Sequence, residues 1–231
     1  EAGPDGVYAG TSPDGLVYHL TGDGTVTTFA RSGSRYVWDL AHDHRRRLLV
    51  AAGGPARVLR IEGADVDTLF DARADGHVRS LAVSGERLFA GTAIAGTKAE
   101  TAAASSRARI YEVTEAGGRL LVETEAEEVS HLAVLGDTLF AALQVTPPAQ
   151  GAGSGPEGRA TLLRVSPDGS SYALWRGAGT WAGLLSGDGW TIAVLREPTQ
   201  VLRVRSDGRL YERVAHSDSL VPNAVALDGN G

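Results

Sequence analysis

The sequence predicts an all-β fold in which one four-stranded antiparallel unit is used five times. Three observations carry that expectation. Apolar residues come in short runs that alternate, or nearly alternate, with polar ones, as half-buried strands do. Turn-forming residues separate the runs, the 231-residue chain holding 30 glycines and 9 prolines. The same four segments then return in the same order about every 40 to 50 residues.

The first segment, strand A, reads Tyr36-Val37-Trp38-Asp39-Leu40-Ala41, His77-Val78-Arg79-Ser80-Leu81-Ala82 and Val129-Ser130-His131-Leu132-Ala133-Val134. Weaker copies are Trp181-Ala182-Gly183-Leu184-Leu185 and Asn223-Ala224-Val225-Ala226-Leu227. Strand B follows across a polar turn and often closes on small residues suited to a crowded, twisted strand: Val7-Tyr8-Ala9-Gly10, Leu48-Leu49-Val50-Ala51-Ala52-Gly53, Leu88-Phe89-Ala90-Gly91, Leu139-Phe140-Ala141-Ala142 and Trp190-Thr191-Ile192-Ala193-Val194. Strand C is the most regular, as in Leu16-Val17-Tyr18-His19-Leu20, Arg57-Val58-Leu59-Arg60-Ile61 and Arg109-Ile110-Tyr111-Glu112-Val113, with further copies at 161–165 and 201–205. Strand D, the outer edge, is Val26-Thr27-Thr28-Phe29, Val66-Asp67-Thr68-Leu69-Phe70 and their counterparts at 120–123, 172–175 and 210–214. Gly22-Asp23-Gly24, Pro167-Asp168-Gly169 and Ser206-Asp207-Gly208 turn C into D, glycine supplying positive φ and aspartate bonding the local backbone.

Four strands per unit at this period is the pattern of a β-propeller. A sandwich also consists of many short strands but has no need of one cassette five times over. The chain is read as a single propeller domain over residues 1–231, with blades at 223–228 plus 6–30, 36–71, 77–124, 129–176 and 180–215. It opens on a strand B and finishes on a strand A, so the terminal strand is expected to join residues 6–30 and close a ring of five. That junction is a device by which propellers hide free sheet edges. A fragment of a six- to eight-bladed ring has the same ends and stands as the alternative.

Composition narrows the function. A net charge of −6 argues against the basic stripe that phosphate-backbone binding needs, so nucleic acid is not an expected partner. No apolar run approaches the roughly 20 residues of a spanning helix, so a membrane span is not expected. Without cysteine there is no disulfide, thiolate metal site or cysteine nucleophile. A chain that has no methionine and begins Glu1-Ala2-Gly3 reads as processed or trimmed, which a removed signal peptide or an upstream domain explains equally well; export to the periplasm or cell surface of a bacterium is the expectation.

Gly10-Thr11-Ser12-Pro13-Asp14-Gly15-Leu16-Val17-Tyr18 and Pro222-Asn223-Ala224-Val225-Ala226-Leu227-Asp228-Gly229 resemble the repeat wording of the broad NHL, gluconolactonase-like and strictosidine-synthase-like propeller group. For gluconolactonase-like enzymes the resemblance implies a divalent metal held at the channel mouth by Asn, Asp and Glu from several blades. Only Asn223 matches that pattern. The aligned places hold Trp38, Arg79, Ser130 and Ala182, poor ligands or none for a hard cation that takes six or more oxygens. No metal site, cofactor or catalytic set is assigned.

With A innermost, the D-to-A and B-to-C connections share one face. Two B-to-C loops on adjacent blades lengthen there, 93–107 and 144–159, the first with Lys98 and Arg107 and the second with Gln150 in a run of linker composition. They are either tolerated insertions or one wall of a binding surface. Trp38, Arg79, Trp181 and Asn223 stand near A-strand starts, where side chains line the channel or pack between blades. A channel arginine can clamp a carboxylate or phosphate, and Arg79 can equally pair with Asp39 or Glu128. His77 and His131 are channel-lining or core histidines. His42-Asp43-His44 has the look of a metal motif, but it sits on the opposite face before Arg45-Arg46-Arg47 and reads as a solvated turn. The expected function is a non-enzymatic binding or scaffold propeller that holds a protein, peptide or glycan on the long-loop face through Trp38, Arg79, His131, Trp181, Asn223, Lys98, Arg107 and Gln150. The alternative is a small-molecule hydrolase or lyase of gluconolactonase-like type, with its site at the channel mouth around Asn223, Arg79 and His131.

Overall fold

A computed structural model describes residues 1–94, 107–145, 159–187, 189–205, 211–217 and 219–226. The chain divides into two compact units, Glu1–Thr124 and Glu125–Gly231. Among the described residues there are twenty strands and one short 3₁₀ turn, Arg73–Asp75, and no helix long and apolar enough to cross a membrane.

The first unit holds three four-stranded sheets, the second and third continuous with each other through the Gly53–His77 pair. The first is β1 (Ala2–Gly3), β2 (Gly6–Gly10), β3 (Leu16–Leu20) and β4 (Val26–Arg31). Then come β5 (Tyr36–His42), β6 (Leu48–Gly53), β7 (Arg57–Glu62) and β8 (Asp65–Asp71), followed by β9 (His77–Ser84), β10 (Arg87–Ala93), β11 (Arg109–Thr114) and β12 (Gly117–Glu123). The second unit holds β13 (Glu128–Leu135), β14 (Thr138–Val145), β15 (Arg159–Val165) and β16 (Ser171–Ala178), and then β17 (Thr180–Gly187), β18 (Trp190–Arg196), β19 (Thr199–Arg205) and β20 (Tyr211–Ser217). Within each sheet every strand pairs antiparallel with the next in the chain.

The A strands of the last four sheets are seven or eight residues long, whereas the first sheet takes its inner edge from the two residues of β1, Ala2 opposite Val7 and Gly3 opposite Gly6. Of the terminal strand expected at 223–228 beside 6–30, residues 223–226 carry no strand, and 227 and 228 lie outside the described residues. Within the second unit Val225 lies against Gly183, and Arg196 donates to the Asn223 carbonyl at 2.9 Å.

The B strands explain the burial. All six residues of β6 are buried, because neighbouring sheets cover both its faces. Its alanines keep those sheets close. Leu49, Val58, Val78, Leu88 and Val113 fill the space between the second and third sheets, and Phe140, Leu162, Trp181, Leu184 and Leu195 that between the fourth and fifth. Each large side chain so buried is worth about 1.5 to 3 kcal/mol. Two of the three expected C-to-D turns work as their residues require: Asp23 accepts from the Thr25 amide at 3.0 Å beside Gly24 at φ 86°, and Asp168 from the Ser170 amide at 2.9 Å beside Gly169 at φ 86°; Ser206-Asp207-Gly208 lies outside the described residues.

The register carries a second repeat that alternation alone does not reveal. In every D strand one residue is skipped opposite strand C: Phe29, Leu69, Leu121, Leu174 and Val214. In four A strands one residue is skipped opposite strand B: Trp38, Arg79, Ser130 and Ala182. A bulge of this kind bends the strand and re-aims a side chain.

The connection after β10 runs from 94 to 108, as long as the expected 93–107 and one residue later, whereas that after β14 runs from 146 to 158, shorter than 144–159 because pairing extends further. Ala93 still pairs with His77, and Gln144 and Val145 pair with Ala160 and Arg159. Lys98 and Gln150 lie outside the described residues. Both loop roots are clasped. The Arg109 amide donates to Thr92 Oγ1 at 2.8 Å, and Gln144 Nε2 donates to the Arg159 and Gly179 carbonyls at 3.3 and 3.2 Å.

Candidate functional site

The first unit brings one group of aromatic and cationic residues together at the start of two neighbouring A strands. Tyr36 and Trp38 stand two apart on β5, His77 and Arg79 two apart on β9, and residues so spaced share a strand face. Their side chains meet. Trp38 stacks on Tyr36 with ring centroids 5.2 Å apart, His77 sets its ring edgewise to both at 5.6 and 5.7 Å, and the Arg79 guanidinium lies 4.3 Å from the Trp38 ring centre. Arg35 extends the pattern over Tyr36 at 5.2 Å. Trp38 and Arg79 are also the bulged residues of their strands, so two off-ladder side chains from adjacent sheets converge on one contact.

Gly53 makes the convergence possible. It ends β6 and bridges to His77; a Cβ there would stand 2.1 Å from His77 Nδ1 and 2.6 Å from Trp38 Nε1. Ala93, the last residue of β10, pairs with His77, so the cluster lies at the root of the first long loop. Trp38 keeps 36% of its surface exposed.

Beneath Trp38 lies Asp39. Its two carboxylate oxygens accept from the backbone amides of Leu40 at 2.9 Å and Leu81 at 2.8 Å, the second bond tying β5 to β9. Burial pushes its pKa up to about 6, against the pull of those two hydrogen bonds. A cavity of about 300 Å³ opens beside it, lined by Glu1, by Tyr8, Ala9 and Gly10 of β2 and by Val37, Trp38, Asp39 and Leu40 of β5.

A third group is centred on Asp75, in the connection into β9. Asp75 is buried and accepts from Arg109 Nη1 at 2.7 Å and the Tyr111 hydroxyl at 2.8 Å. Burial, and then the bond to Asp75, push Tyr111 up to about 12. Glu123 is the largest influence raising Arg109, which it meets at 2.8 Å.

The remaining expected residues are placed as follows. Trp181, just before the Ala182 bulge, is buried; its ring nitrogen donates to the Leu143 carbonyl at 2.9 Å and its ring meets Trp175 edgewise at 5.8 Å. His131 follows the Ser130 bulge and is half-buried. Asn223 and Arg107 are exposed. The His42-Asp43-His44 turn is organised around Asp43, which accepts from the Arg45 and Arg47 amides at 2.8 and 2.9 Å and from Arg47 Nε at 2.7 Å. Burial alone raises Asp43, but these bonds outweigh it and hold the carboxyl below its usual range. Among the described residues no group of three or more His, Asp or Glu converges as a metal site.

Sequence reading placed Trp38 and Arg79 individually and did not join them, nor did it mark Tyr36, Asp75 or the Gly53 approach. The Tyr-x-Trp and His-x-Arg spacings in consecutive A strands were the available signal.

No family model matches the chain, and no curated protein does. Solved structures do. A chain of the nidogen/laminin complex superposes with a TM-score of 0.58 at 15% identity, over 90% of this chain and 78% of that one. A catalytically inactive variant of virginiamycin B lyase from Staphylococcus aureus, crystallised with quinupristin, superposes with a TM-score of 0.62 at 10% identity, over 99% of this chain and 76% of that one. At such identities the likeness bears on architecture and not on activity. With the repeated four-stranded sheets, it shows that this chain has the β-propeller fold expected from its repeat and from its resemblance to the NHL and gluconolactonase-like group.

Proposed function

We propose that this chain is a non-enzymatic binding propeller that holds a protein, peptide or glycan on the face from which its long loops spring, with the Trp38 and Arg79 cluster as the anchor. One observation carries the reading: a tryptophan with 36% of its surface exposed, braced by an arginine, a tyrosine and a histidine at the start of two A strands. Tryptophan, tyrosine and arginine dominate the energetics of binding surfaces because they offer large, stiff contact area and directed donors. The protein assembly that holds one structural neighbour is consistent with this use of the fold. Peptide and glycan arrays probed with the whole chain and with Trp38→Ala test it. Ligands bound by the first and lost by the second are expected, and arrays without any Trp38-dependent ligand overturn the reading.

Asp39 favours a second reading, a small-molecule hydrolase or lyase. A carboxyl group raised to about 6 beside a cavity is suited to taking up and releasing a proton near neutral pH. Lactone and ester panels assayed with the wild-type chain and Asp39→Asn separate the two. Turnover that the variant loses supports the enzyme, and no turnover by the wild type removes it.

A further inference from the structure

We infer that a cleft between the second and third sheets, at the end of β6 away from Gly53, binds a small organic carboxylate with an apolar body, and that the ligand displaces Glu115 from Arg60. The cleft is separate from the Trp38 cluster, so the inference stands apart from the binding reading above. Three observations carry it.

The first is the lining. The cleft holds about 440 Å³, within the range of small-molecule sites. Its apolar part is Leu49, Leu88 and Val113 of the core with the partly buried Leu69 and Val83, and Arg47, Arg60 and Arg87 line it beside them. Apolar walls with a few fixed charged groups suit a ligand whose body is apolar and whose head is charged.

The second is how firmly the arginines are held. Arg47 and Arg60 keep only 16% and 14% of their side-chain surface exposed. Arg47 Nε donates to Asp43 at 2.7 Å; Arg87 Nε donates to Glu112 at 3.0 Å while its guanidinium lies 4.7 Å from the Phe89 ring centre. Guanidiniums fixed before a ligand arrives lose less freedom when it binds. Of the acids in the lining, Asp43 is engaged by the Arg45 and Arg47 amides as well, and Glu86 is exposed.

The third is Glu115. From the turn between β11 and β12 it reaches Arg60 of β7, 55 positions earlier, and donates nothing but a carboxylate to Arg60 Nη1 at the edge of the cleft. Asp67 holds the other terminal nitrogen, Nη2, at 3.3 Å. The protein itself therefore shows that a carboxylate fits this place. Yet Glu115 is 74% exposed, and an ion pair with one partner so exposed is weak and readily exchanged. A ligand that brings a carboxylate on an apolar body gains burial against the leucines and valines that an exposed side chain does not. The fixed groups are thus positive and the exchangeable one negative, which selects an anion.

The test is calorimetric titration of the whole chain with naphthoate, its neutral counterpart naphthamide, and acetate, which has the head without the body. Naphthoate is expected to bind about tenfold or more tighter than naphthamide, because the amide loses a bond between charges. Acetate should not bind measurably. Arg60→Gln should abolish the preference for naphthoate over naphthamide. Glu115→Gln, at an exposed turn position, should tighten naphthoate about two- to fivefold by removing the competitor for Arg60, and should leave naphthamide unchanged. Near-ultraviolet circular dichroism establishes folding of each variant; if Arg60→Gln does not fold, Glu115→Gln and the naphthamide comparison still decide the matter. Absence of naphthoate binding, equal binding of naphthoate and naphthamide, or a preference that survives Arg60→Gln overturns the inference, as does a Glu115→Gln variant that binds naphthoate no tighter than the wild type. Naphthyl phosphate binding tighter than naphthoate overturns the carboxylate. Trp38→Ala should bind naphthoate as the wild type does; loss of binding there places the ligand at the Trp38 cluster and overturns the cleft, whereas failure at the cleft leaves the binding propeller standing.

Discussion

The two units use one backbone device and load it differently. In β5 and β9 of the first unit the bulge of the A strand carries Trp38 and Arg79; in β13 and β17 of the second it carries Ser130 and Ala182. The large aromatic of the second unit sits one residue earlier, at Trp181, on the ladder, where its ring turns into the core and its N–H meets a carbonyl. A shift of one position along the strand separates a buried structural tryptophan from an exposed one. The position relative to the bulge, more than the residue type, decides whether an aromatic ring packs or presents itself.

That contrast can be broken most forcibly at Trp181. Trp181→Ala removes a 5%-exposed side chain and its bond to the Leu143 carbonyl, and should cost about 3 to 5 kcal/mol, read as a lowered denaturant midpoint. Next comes Asp39, whose effect depends on pH. Its folded-state pKa is raised from 3.8 to about 6, so the stability it contributes is fully present below about pH 4 and is lost as pH rises through 6. Compared with Asp39→Asn, the wild type should therefore lose up to about 3 kcal/mol between pH 4 and pH 8, measured by urea unfolding across that range. Asp43 runs the other way, because its carboxyl is held low and its contribution disappears on acidification. Gly53→Ala forces a methyl group against His77 and Trp38 and should cost about 1 to 3 kcal/mol, with a change in tryptophan fluorescence that reports on the cluster itself. The smallest stability effect is expected at Trp38. Trp38→Ala should change stability by less than about 1 kcal/mol while removing ligand binding, the reverse of Trp181→Ala. Equal destabilisation by the two alanine variants would erase the distinction between the units.

Architecture was written plainly in the sequence because strands and turns are local. Alternation fixes a face, glycine and aspartate fix a turn, and five copies fix the cassette. The bulges were not legible in that way, since a skipped residue is defined by the strand opposite and not by its own neighbours. The Trp38 and Arg79 contact joins residues 41 positions apart through two such bulges, and Asp75 meets Tyr111 across 36. Asp39 reads in sequence as one more polar residue of a half-buried strand; only the Leu81 amide, supplied by the next sheet, shows where its carboxylate is held. The residues were visible and their company was not.

The clasp at the foot of the first long loop has a practical meaning. Thr92 and Arg109 tie the backbone on either side, Asp75 and Tyr111 anchor Arg109 below, and Thr124 binds the Ala108 carbonyl at 2.8 Å. The sheet is therefore indifferent to what is threaded between the two ends, and doubling the length of such a segment costs only about 0.6 kcal/mol of closure entropy. Foreign sequence grafted between Ala93 and Arg107 should therefore leave the strand pairing below it intact, which near-ultraviolet circular dichroism of the graft would check.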